Sequence, residues 1–117
     1  MGRVLNRAQD FIWQYARLLD RHLFSYLFLD GPSEPVLSAL LAYQNLDGGF
    51  GNALEPDMRC PTSQPVSTEF ALRIMDMVDG FTNPTVKPIL GFLASITTAE
   101  GGIPWALPSV RDYPAAP

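Results

Sequence analysis

Gln44-Asn45-Leu46-Asp47-Gly48-Gly49-Phe50-Gly51 is the stretch on which the fold turns. It is polar and glycine-rich, it follows an apolar helical segment, and a proline-punctuated loop comes after it. Glycines permit the positive φ values that a tight helix exit needs, and a glutamine at a helix C-terminus can bond backbone groups left without an intrahelical partner. A weaker copy lies at Thr97-Thr98-Ala99-Glu100-Gly101-Gly102-Ile103, and Gln44 to Thr97 and Gly48 to Gly101 share one spacing of 53 residues. Alone, the stretch reads as a phosphate-cradling loop or an active-site turn. With its echo it reads as a structural pin between helical hairpins, because periods near this size mark stacked helical repeats.

Working outward, apolar residues recur at helical spacing from about Val4 to Leu29, with Phe11, Tyr15, Leu18, Leu19, Leu23, Tyr26 and Leu27 on one broad face and Arg17, Asp20 and Arg21 off it. This predicts one long helix stopped by Asp30-Gly31-Pro32. Ser33, Glu34 and Pro35 suit the start of a second helix, apolar nearly all round, to about Gln44. Asn52 to Pro65 holds Pro56, Pro61 and Pro65 and predicts a long ordered loop. A third helix is expected from about Val66 to Val78, closed by Asp79-Gly80. A fourth is expected from a Thr85 N-cap to about Thr98, with Pro88 in its first turn. Beyond Glu100, Pro104, Pro108, Pro114 and Pro117 speak against regular structure. The expected fold is therefore all-α, with about four helices and long Pro-rich loops, in repeats of about 33–51 and 85–103.

These residues resemble the prenyltransferase and squalene-cyclase (terpenoid cyclase) repeat proteins, α/α toroids with the pattern aromatic-Leu-x-x-x-Gln-x-x-x-Gly-Gly-aromatic. Ala39 to Phe50 fits it except for the opening aromatic. The second copy keeps Phe92-Leu93 and Gly101-Gly102, has Thr97 for the glutamine and places Trp105 two positions late. The resemblance implies that Gln44, Gly48, Gly49 and Phe50 brace helices. It further implies that these 117 residues are a single repeat domain or the N-terminal segment of a larger toroid, completed by further chain or by self-association. The implied ligand is an isoprenoid or another apolar molecule.

The acidic loop is the candidate for chemistry. Glu55 and Asp57 stand one residue apart beside Arg59 and can form an acid/base pair, one carboxyl being raised in pKa by its neighbour and by burial. The bland counterpart is a loop held by an Asp57–Arg59 ion pair, with Glu55 capping helix ends. Arg59, Gln64, Glu69 and Trp105 are the candidate cavity residues. The family's own strings do not transfer, since neither Asp-x-Asp-Asp nor Asp-Asp-x-x-Asp occurs, and Asp57 and Cys60 are wrongly spaced for a prenyltransferase zinc site. His22 reads as a packing or surface residue, Cys60 as an inert small side chain, and no metal or cofactor is expected. A non-catalytic binding module is the alternative function, and a carbohydrate-active (α/α) ring enzyme a third, because aromatic platforms and paired acids recur there.

A formal charge of −4 and a pI near 4.7, without a basic stripe, exclude a phosphate-tracking nucleic-acid binder. One cysteine excludes an internal disulfide. Charges interrupt the first apolar segment well short of a membrane span, and the N-terminus lacks a signal-peptide h-region. The expected compartment is the cytoplasm.

Overall fold

A computed structural model of the protein describes residues 2–117. Among the described residues it is all-α: five helices, one 3-10 turn at Pro108–Asp112, and no strand beyond two isolated antiparallel bridges, Gln44 with Phe50 and Met58 with Ala115. The chain divides into two compact units, one ending at Ala42 and the other spanning Tyr43–Pro117.

The first unit holds α1 (Gly2–Tyr15), α2 (Leu18–Phe28) and α3 (Glu34–Leu41). The single helix expected from Val4 to Leu29 is thus two. Arg17 is extended, with φ −68° and ψ 161°, and the residues that read as an outer polar face hold the break together. Arg17 Nε donates to Asp20 Oδ2 at 2.9 Å, and Arg21 Nε donates to the Ala16 carbonyl at 3.2 Å. Asp20 also lies in the first turn of α2, where the helix dipole favours an anion. α2 packs against α1 and α3, and the Trp13 ring meets Phe24 edge-on at 6.0 Å. At the end of α2 the left-handed residue is Asp30 (φ 55°), not the expected Gly31. Gly31 serves close approach instead: a Cβ there would lie 3.0 Å from the Ser25 backbone, whose carbonyl accepts the Gly31 N–H at 2.9 Å.

The second unit holds α4 (Pro65–Met77) and α5 (Asn83–Ile96). Pro65 opens α4 where its missing N–H costs nothing. Left-handed Asp79 closes it, with Gly80 N–H on the Met75 carbonyl at 2.8 Å and Asp79 N–H on the Asp76 carbonyl at 3.2 Å, a Schellman ending. The cap of α5 lies three residues before the expected one. Thr82 is the N-cap, in a reciprocal capping box with Thr85, and Pro88 lies inside the helix. The tail also departs from expectation in its 3-10 turn.

The two glycine turns share one backbone geometry. In the first, Asn45 N–H donates to the Gly49 carbonyl at 2.8 Å and Gly48 N–H to the Asn45 carbonyl at 3.0 Å. In the second, Thr98 N–H donates to the Gly102 carbonyl at 2.7 Å and Gly101 N–H to the Thr98 carbonyl at 2.9 Å. Gly48 and Gly101 have φ of 90° and 87°. Every partner is displaced by the same 53 residues.

Candidate functional site: an apolar cavity of the second unit

The glycine turn and the loop after it anchor the second unit. Gln44 Nε2 donates to the Gly48 carbonyl at 3.0 Å, and Asp47 Oδ1 accepts the Gly49 N–H at 2.9 Å and the Ser63 hydroxyl at 2.6 Å. Phe50 is fully buried. Its N–H donates to Thr68 Oγ1 at 3.0 Å, and its carbonyl accepts the Gln64 N–H at 2.9 Å, so the exit of the turn is tied to the start of α4. Gln44 bonds within its own turn; the structure shows it bracing that turn.

Gln64, expected in a cavity, is instead a buried brace with no exposed surface. Its Nε2 donates to Ser109 Oγ at 2.9 Å, and its Oε1 accepts the Leu107 N–H at 2.7 Å. One side chain thereby pins the irregular tail to the N-terminus of α4. Cys60 is buried beside it, with Sγ 2.9 Å from Thr62 Oγ1.

Glu55, Asp57 and Arg59 lie elsewhere. Glu55 Oε2 accepts the Asp57 N–H at 3.1 Å, a local turn bond. Asp57 and Arg59 line a shallow groove with Pro56, Pro114, Ala115 and Ala116. Backbone groups pair the loop with the tail: Arg59 N–H donates to the Pro114 carbonyl at 3.0 Å and Ala116 N–H to the Asp57 carbonyl at 2.8 Å. Among the described residues the ion pairs are Arg17–Asp20 and Arg73–Glu69, so main-chain pairing with the tail, not an Asp57–Arg59 bridge, orders this loop. Asp57 and Arg59 are exposed and Glu55 is partly so, which supplies little of the desolvation that an acid/base pair would draw on.

Glu69 and Trp105 do share a cavity. It has a volume of about 420 Å³ and is walled by Pro65, Val66 and Leu72 of α4 and its start, Leu93 of α5, and Ile103, Pro104 and Trp105 of the second turn's exit. Glu69 is its one charged lining residue, and its carboxylate pairs with Arg73 one turn on. The pair is solvent-exposed, so it adds little stability. Trp105 keeps 74% of its surface exposed, an indole face at the mouth of an apolar wall. In the sequence, Leu93 and Ile103 stand only as positions of the second repeat copy and Leu72 is unmarked. Nothing local records that α4, α5 and the tail leave a gap between them.

His22 on α2 is half-buried, and among the described residues no group of three or more His, Cys, Asp or Glu side chains is placed to hold a metal ion. No helix of the described residues is long and apolar enough to cross a membrane. No protein-family model, curated protein or solved structure matches the chain significantly.

Proposed function

We propose that the protein is a helical-repeat binding module of the α/α-toroid type, related to the prenyltransferase and terpenoid-cyclase repeat proteins, and that it takes an apolar, isoprenoid-like ligand in the cavity between α4, α5 and Trp105. The observation that carries this reading is the cavity itself: about 420 Å³ with an almost wholly apolar lining, within the range of small-molecule pockets. Binding is favoured over catalysis because neither Glu55 nor Asp57 lines the cavity, Asp57 sits on a separate groove, and Glu69, on the cavity, is paired with Arg73.

Trp105 reports on the test. With Trp13→Phe as background, Trp105 is the sole indole, and titration with farnesol should give a saturable change in its fluorescence that Leu93→Glu removes. A flat titration sinks the reading. A response to a soluble oligosaccharide in its place would move the protein to the carbohydrate-active alternative, which the exposed Trp105 platform would also serve.

A further inference from the structure

The two glycine turns are alike in backbone and opposite in surroundings. Gly48 and Gly49 are buried, Gly101 and Gly102 exposed. A Cβ on Gly48 would stand 1.9 Å from the Pro88 carbonyl oxygen, and one on Gly49 would stand 2.5 Å from Ser63 and 2.8 Å from the Phe92 ring. The first turn is therefore a seat, with α5 resting on bare glycine backbone through the main chain of Pro88 and the ring of Phe92. The second turn repeats the two backbone hydrogen bonds that shape the seat. There, a Cβ on Gly101 would meet nothing within 4 Å, and one on Gly102 would meet only Thr98 Oγ1 at 3.7 Å.

What a repeat leaves open at one end it presents at the other. The helix 53 residues before α5 is α3, and Pro35 stands 53 residues before Pro88. We propose that the empty seat at Gly101-Gly102 receives α3 of a second copy of this chain through Pro35, as the first seat receives α5 through Pro88. Such an interface is heterologous, with different surfaces on the two partners, so it builds head-to-tail chains or a closed ring. Ala39 stands where α5 has Phe92, so the seat is filled less fully and association is weak. The proposal is independent of what fills the apolar cavity.

Sedimentation equilibrium from about 10 µM to about 1 mM, the range of weak small interfaces, should show the average mass rising above the 12.9 kDa of one chain. Gly102→Leu blocks the seat, and Ala39→Glu puts a carboxylate on the helix face that enters it, where α5 has the Phe92 ring. Each variant should remain monomeric across the range, with a thermal melt close to the parent's. Mixed one to one they should form a dimer and nothing larger, since one good seat and one good helix remain. Wild-type mass fixed at one chain, association of either variant like the parent's, or a mixture without dimer would each overturn the proposal.

Discussion

At the scale of single residues, Gly48 and Gly101 form a natural control. Both have φ near 90°, so alanine at either meets the left-handed penalty of about 1–2 kcal/mol. Only at Gly48 does the new methyl also collide with backbone, 1.9 Å from the Pro88 oxygen. Gly48→Ala should therefore cost clearly more than Gly101→Ala in urea unfolding, which should stay near about 1–2 kcal/mol. Equal losses would mean that α5 does not rest on the first turn. Gln64 shows the other use of a single side chain. It satisfies a backbone N–H and a hydroxyl of the tail from a position with no exposed surface, and a hydrogen-bonded buried amide avoids the penalty of burying it unpaired.

At the scale of elements, the helices begin and end where short-range chemistry dictates. α5 shows this most clearly, because its two threonines compete for the cap. With Thr82 as cap, its N–H donates to Thr85 Oγ1 at 3.1 Å and Pro84 falls in the first turn. The helix also accepts Pro88 in its interior, where Pro88 cannot donate to the carbonyl four residues back. Thr82→Ala should cost about 1 kcal/mol, read as a lowered urea midpoint at unchanged slope. No loss would mean that the cap is not set there. The break between α1 and α2 works without proline or glycine: Arg21 Nε bonds the Ala16 carbonyl just past the end of α1, and the Arg17–Asp20 side-chain pair spans the first turn of α2.

At the scale of the whole molecule, acid and apolar features are separated. The groove of Asp57 and Arg59 and the cavity of Glu69 and Trp105 have no lining residue in common. Glu55→Gln combined with Asp57→Asn should leave the farnesol-dependent signal of Trp105 unchanged and shift the unfolding free energy by no more than about 0.5 kcal/mol per site, as for other exposed positions. A lost signal would tie the two regions together and restore the acidic loop as part of the site. Large apolar side chains also remain exposed, among them Val4, Phe11 and Tyr15 of α1, a helix with no buried residue.

The sequence by itself determined the all-α class, the long loop from Asn52 to Pro65, the α4 boundaries to within a residue or two, and the two glycine turns. These rest on local rules: helical periodicity, proline geometry and the freedom of glycine. It also marked Glu69 and Trp105. Tertiary structure alone decided the rest. The α1–α2 break was illegible because the apolar period runs through it and the bonds that hold it come from residues that read as solvated. Gln64 read as a cavity residue because its partners, Leu107 and Ser109, lie more than 40 residues away. Glu55 and Asp57 looked like a site because adjacency in sequence says nothing about burial. The cavity wall and the covered and bare glycine seats arise where segments distant in the chain meet or fail to meet, and no local pattern records that.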